Sequence, residues 1–157
     1  MGTLSLTGAD TISLDITGTG SPVPLVDLGD GDNAALTFPN SLTETKKGKN
    51  GNGIIALNET GDIVEMTVRI LRGSPDDKNL NSRLRAMKND FSSFVTISGE
   101  VIKAVGDGLG NVSNDIYTLS GGTFSKRVEV VSNVEGNTDQ ALAIYTITFV
   151  NSDRKIA

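Results

Sequence analysis

The sequence predicts a mainly β fold: a small antiparallel β-barrel or sandwich with one flanking α-helix (about 75–91) and a long protruding hairpin (about 40–54). Three observations predict it. Apolar and polar residues alternate with period two over most of the chain. Glycine, at 18 of 157 residues, is spaced between those runs with no collagen or low-complexity period. One segment alone switches to helical spacing. There is no composition break, and 157 residues suffice for one core-bearing domain spanning 1–157.

The elements follow in chain order. Met1-Gly2-Thr3-Leu4-Ser5-Leu6 has no basic segment leading into an apolar run, so no signal peptide is expected. Pro22 and Pro24 cannot donate to a ladder, so the stretch from Thr17 to Pro24 is expected to be a turn or an edge segment. Val23 to Leu28 and Ala34 to Phe38 read as strands around the turn Gly29-Asp30-Gly31-Asp32. Asp27, Asp30, Asp32 and Asn33 crowd oxygen ligands together. They lack the glycine and the closing glutamate of a calcium loop, so an acidic β-turn is the better reading.

Asn40 to Gly53 is polar and turn-rich, with no residue large enough to anchor it in a core. Its flanks, Ala35 to Phe38 and Ile54 to Leu57, are strand-like, which predicts a hairpin whose tip leaves the body of the domain. A loop of this length in a compact domain is functional or disordered. Lys46, Lys47 and Lys49 make its tip basic on a protein of net charge -5, suited to an acidic patch on a neighbouring copy. The plainer alternative is an exposed, solubilising loop.

From Asp62 to Arg72, Val64, Met66, Val68 and Ile70 share one strand face, and Glu65, Thr67 and Arg69 the other. A helix follows. Ser74 is its N-cap, Pro75 its first residue, and Asp76 and Asp77 complement the dipole. Leu80, Leu84, Met87 and Phe91 form its apolar stripe, leaving Lys78, Arg83, Arg85 and Lys88 on a solvated side. Phe94 to Lys103 and Ile116 to Val131 supply further strands, with a loop at Gly106 to Asn111 and a hairpin turn at Gly121-Gly122. Ala141 to Val150 reads as a strand buried on both faces.

The composition leaves little room for catalysis. There is no His, Cys or Trp, so the commonest general base, the usual zinc ligands and every thiol nucleophile are missing. Ser125-Lys126 would point to opposite faces of a strand, and no carboxylate pair stands out. Gly106 to Asn111 lacks the full phosphate-loop spacing, and Gly48-Lys49 lacks the Walker spacing. Asn58-Glu59-Thr60 and Asn111-Val112-Ser113 fit the glycosylation pattern with nothing to direct secretion. The expectation is no enzyme, no cofactor and no metal. An acidic chain with 4% aromatics suits neither tight nucleic-acid binding nor base stacking. No apolar stretch is long enough to cross a bilayer, so a soluble protein made in a cytoplasm is expected.

Several stretches, in this order, resemble the tail-tube proteins of contractile-tailed bacteriophages. They are Asp27 to Asp32 running into Leu36-Thr37-Phe38-Pro39-Asn40, and Lys47 to Asn52 followed by Ala56-Leu57-Asn58-Glu59-Thr60-Gly61. Further on come Arg72-Gly73-Ser74-Pro75-Asp76-Asp77 leading to Asn81-Ser82-Arg83-Leu84, and Leu119-Ser120-Gly121-Gly122. The likeness covers nearly the whole chain and rests on combination and order. The segment Thr17 to Pro24 departs from the family pattern.

The resemblance implies a virion structural protein, assembled in a bacterial cytoplasm. Its hexameric rings would stack into a hollow tube inside a contractile sheath. Neighbouring subunits would join strands into one inner barrel around the path of the DNA. Sheath, baseplate and tail-terminator proteins would be its partners, with no membrane. The hairpin would reach the adjacent ring through Leu42, Glu44, Lys46, Lys47, Lys49, Asn50 and Asn52. Glu65, Thr67, Arg69, Thr96, Ser98 and Glu100 are candidates for the lumen face, the alternative being an outer solvated face. The tube of a tailocin or of a secretion-system spike would share this fold. A monomeric carbohydrate-binding β-sandwich is a different possibility, but it needs exposed aromatics, and Tyr117 and Tyr145 fall in strand interiors.

Overall fold

The structure, a computed structural model, describes residues 4–29, 34–130, 132, 135–136 and 138–157. The turn expected at 30–33, with Asp30, Asp32 and Asn33, lies outside them. Among the described residues nine strands and one α-helix follow in order: β1 (Leu6–Leu14), β2 (Val23–Pro24), β3 (Ala34–Thr37), β4 (Thr43–Lys47), β5 (Gly53–Leu57), β6 (Val64–Leu71), α1 (Pro75–Asn89), β7 (Ile97–Gly106), β8 (Val112–Phe124) and β9 (Leu142–Ile156). Seven of them form one antiparallel sheet in the order β2-β1-β7-β8-β9-β6-β3, and β4-β5 stand apart as a hairpin.

The period-two pattern of β6 works as predicted. Val64, Met66, Val68 and Ile70 are buried and lie opposite Phe149, Ile147, Tyr145 and Ala143 of β9, and these eight share one core face. Leu14, Ile97 and Leu119 extend that core across β1, β7 and β8. Phe149 lies over two glycines. A Cβ on Gly122 would meet its ring at 2.6 Å and the Ile97 carbonyl at 2.7 Å, and one on Gly99 would meet the ring at 3.3 Å.

The sheet does not close into a barrel. Ala34, Ala35 and Leu36 of β3 face Ile12 and Val101, of β1 and β7, across a cleft of about 160 Å³. Among the described residues no ladder crosses it: β3 pairs with β6 alone, and β2, two residues long, pairs with β1 alone. Two open sheets result.

Gly121-Gly122 is not a hairpin turn. β8 runs straight through it as a 13-residue strand, with Gly121 at φ +69°. The register against β7 slips by one residue between Gly99↔Leu119 and Ile97↔Gly122, which is a β-bulge. The real turn is the loop at Gly106 to Asn111, as expected. There the Asp107 carboxylate accepts from the Leu109 and Asn111 amides and the Asn111 side chain. Those bonds, the Asn111 side chain first, hold its carboxyl below the usual range.

Three further expectations change. β9 is buried on both faces only at Tyr145, Thr146 and Ile147; Ile144 and Val150 are exposed, and the strand runs on to Ile156. Of Val23 to Leu28, only Val23–Pro24 is strand, at the sheet edge where the prolines belong, with Leu28 bridged singly to Ile70. The helix ends at Asn89, because Asp90 turns extended at φ -147°, ψ 90°; Phe91 therefore leaves the apolar stripe and is 67% exposed.

Arg83 corrects the reading of the helix most. It is buried, not solvated. Its Nη2 donates to the Val95 carbonyl at 2.7 Å and lies 3.7 Å from the fully buried Asp15, while the guanidinium sits 4.9 Å from the Phe94 ring centre. Asp15 also accepts from the Gly18 and Gly20 amides, each at 2.9 Å. At the other end of the helix, buried Asp76 accepts from the Val26 and Asp27 amides. Asp77 takes the hydroxyl of buried Tyr145. The helix is thus fastened by Leu80 and Leu84 and by three polar anchors.

Candidate assembly surfaces

The first surface is the hairpin. Gly48 and Gly51 close its tip through Gly48 N to Asn52 O at 2.8 Å and Gly51 N to Gly48 O at 3.1 Å, with Gly51 at φ +81°. Each residue of β4 and β5 is exposed. Glu44, Lys46, Lys47, Lys49, Asn50 and Asn52 all point into solvent, and Glu44 meets Asn58 Nδ2 at 3.4 Å. Leu42 sits at the root. Its carbonyl accepts from Asn58 N at 2.8 Å and its backbone rests on buried Gly61, where a Cβ would meet the Leu42 Cα at 2.7 Å.

The protrusion is longer than the polar stretch suggested. It takes in the apolar run Ile54 to Leu57, expected as a flank of the body. Ile54, Ile55 and Leu57 are 68%, 72% and 68% exposed. Ile54 pairs with Lys46 and Ile55 with Thr45, so both faces of the hairpin carry a large bare apolar side chain. An isolated two-stranded hairpin is marginal in water. The sequence signal was there, in β-branched residues beside a polar tip, but the same residues would suit a core strand.

The second surface is the far end of the sheet. β1, β7, β8 and β9 continue together past the part backed by the helix and by β6. β9 pairs with β6 only as far as Phe149, so among the described residues the backbone ladder of Asn151 to Ile156 is with β8 alone, although the Ser152 hydroxyl donates to the Asp62 carbonyl at 2.8 Å on the other side. β1 meets β2 only at Ser13 and Leu14, leaving Leu6 to Thr11 bare on the opposite edge. Such edges are templates for another chain.

A row of charges crosses these four strands, and sequence spacing did not reveal it. Asp10 lies opposite Lys103, with Oδ2 and Nζ 3.4 Å apart. Lys103 lies opposite Asp115, and Asp115 takes both Nε and Nη2 of Arg154 at 2.8 and 3.0 Å. The signs run minus, plus, minus, plus from edge to edge. The Asp115 hydrogen bond, then its charge, raises the Arg154 pKa further. Arg154 also lies 5.7 Å from the Tyr117 ring centre. A groove of about 350 Å³ flanks this edge, between Phe38 and Leu42 on one side and Tyr117 and Arg154 on the other.

The third surface is the polar face of the sheet. Glu65, Thr67 and Arg69 stand opposite the core residues of β6; Ser98 and Glu100 stand opposite the core positions Ile97 and Gly99 of β7. The five therefore share the face turned away from the core, and all are half-buried. Thr148 and Thr146 of β9 lie across from Glu65 and Thr67 and continue it. Ser98 is partly committed, its hydroxyl donating to the Gly20 carbonyl at 3.0 Å. Thr96 precedes β7 and is exposed.

The chain matches no protein-family model and no curated protein.

Proposed function

We propose that this chain is the subunit of a hollow tail tube of the contractile-phage type, with hexameric rings stacked inside a sheath and DNA passing through the lumen. One observation carries the reading: the Thr43–Leu57 hairpin stands clear of the body with Ile54, Ile55 and Leu57 bare. Monomeric proteins seldom leave three large apolar residues of one short strand in water, and a self-assembling one covers them with the next copy. The basic tip at Lys46, Lys47 and Lys49 would meet an acidic surface, and the chain as a whole is acidic. The bare edges of β1 and β9 support lateral joining of neighbours. A polar sheet face holding Glu65, Thr67, Arg69, Thr148 and Glu100, with two carboxylates to one guanidinium, suits a lumen that passes a phosphate backbone without retaining it. The order of motifs resembles the tail-tube family, and sheath, baseplate and terminator proteins are the partners this reading brings with it.

Negative-stain electron microscopy with light scattering on the purified protein tests the reading. Hollow rings or tubes of uniform width are the expected result. A monomer that persists at high concentration and binds a glycan saturably would replace the tube with the binding-module reading.

A further inference from the structure

Resting on the tube reading, we infer that the charge row Asp10–Lys103–Asp115–Arg154 is the register key between neighbouring copies in a ring. Arg154 on the β9 edge of one copy pairs with Asp10 on the β1 edge of the next. The occupant of each edge is thus a second copy of this chain.

Three features argue for it. The row begins with a carboxylate and ends with a guanidinium, so its two ends are complementary. A second copy set edge to edge continues the alternation without placing like charges side by side. The strand directions agree as well. β1 is antiparallel to β7, β7 to β8 and β8 to β9, so β9 runs opposite to β1; a head-to-tail neighbour therefore presents an antiparallel edge, the geometry the sheet already uses. Finally, the side chains are available. The side chains of Asp10 and Arg154 are 46% and 54% exposed, although Asp10 pairs with Lys103 and Arg154 with both Asp115 and the Tyr117 ring in its own chain.

A flat polar edge specifies register weakly, and a slip of one residue turns every side chain to the wrong face. A row of alternating charge penalises that slip, because Arg154 would then face Ala9 or Thr11 of the next copy and the two rows would lie on opposite faces of the joined sheet. The interface is heterologous: one copy supplies β1 and the other β9, so it propagates past a dimer, and it makes a ring where the rotation between copies closes.

The test uses the full chain and two charge reversals, Asp10→Lys and Arg154→Asp. Each gives both edges the same sign, plus in the first and minus in the second. Each variant alone is expected to need about tenfold more protein, or more, to assemble by light scattering. Mixing them offers opposite edges at every junction, so an equimolar mixture should assemble close to the wild-type concentration, in rings of alternating subunits. Asp10→Asn and Arg154→Gln, which avoid new repulsion against Lys103 and Asp115, should weaken assembly less. Circular dichroism and melting of each variant separate lost folding from lost assembly. If the folded reversals assemble like the wild type, or the mixture does no better than its parts, the register key is wrong while the tube stands. If the wild type itself never forms rings or tubes, the tube reading fails and this inference with it.

Discussion

Asp15 and Arg83 hold opposite charges in a place where water does not reach them, and each depends on the other. Asp15 has the Gly18 and Gly20 amides as further donors, while Arg83 Nε finds no hydrogen-bond partner among the described residues. Removing one member of such a pair leaves a buried charge uncompensated, which costs about 3–5 kcal/mol. Asp15→Ala should lower the stability measured by chemical denaturation by about that amount, and loosen the turn at Gly18 and Gly20. Tyr145 offers a pH-dependent counterpart. Burial, and after it the hydrogen bond and charge of Asp77, push its phenol above the ordinary value of 10.0. A raised pKa favours the neutral form in the fold, so this contribution is complete below about pH 10 and is lost as pH rises through the folded value. Melting temperature should therefore fall above pH 10, and Tyr145→Phe should fall less steeply there despite a lower starting point. The buried polar group was half legible in the sequence. Asp76 and Arg83 are seven residues apart, on one flank of the Leu80–Leu84 stripe, but an arginine at a stripe's margin normally reaches for water. Asp15 lies 68 residues from Arg83, beyond any periodicity.

At the scale of elements, the helix and the hairpin are opposite cases. The helix is bound into the body along its first half, through Asp76 and Asp77 at the start and Arg83 at the middle. The hairpin meets the body only at its root, where Leu42 rests on Gly61 and Asn58 bonds back to Ser41 and Leu42. Replacing 43–57 with a short Gly-Ser linker should leave the melting temperature within a few degrees of wild type, because it removes almost no core. The same change should permit rings and abolish stacking, as seen by electron microscopy. Strands were the readable elements: β6 and β9 announce themselves through Val64 to Ile70 and through the β-branched run after Ala143. The glycine pair misled because a turn and a bulge ask the same thing of a backbone. Phe149, 27 residues away, decides for the bulge, since its ring occupies the space a Cβ at Gly122 would need.

For the molecule as a whole, the mainly β class and the single helix could be read from alternation and capping, while closure could not. Whether a sheet becomes a barrel depends on how its first and last strands meet, and nothing in Ala34 to Thr37 or Val23-Pro24 tells a closing strand from a short edge. The candidate surfaces divide in the same way. The polar tip and its lysines stand out in the sequence because composition changes there. The charge row does not, because Asp10, Lys103, Asp115 and Arg154 become neighbours only through three strand registers.

The four strands that carry that row also fix where the described chain starts and stops. β1 begins, and β9 finishes, at the same end of the sheet, for Leu6 lies opposite Gly106 and Ala157 exchanges backbone hydrogen bonds with Asn114. They do so on opposite edges. In a head-to-tail ring the end of β9 in each copy would thus lie close to the start of β1 in the next, so a cross-link between those two strand ends would form between copies and not within one.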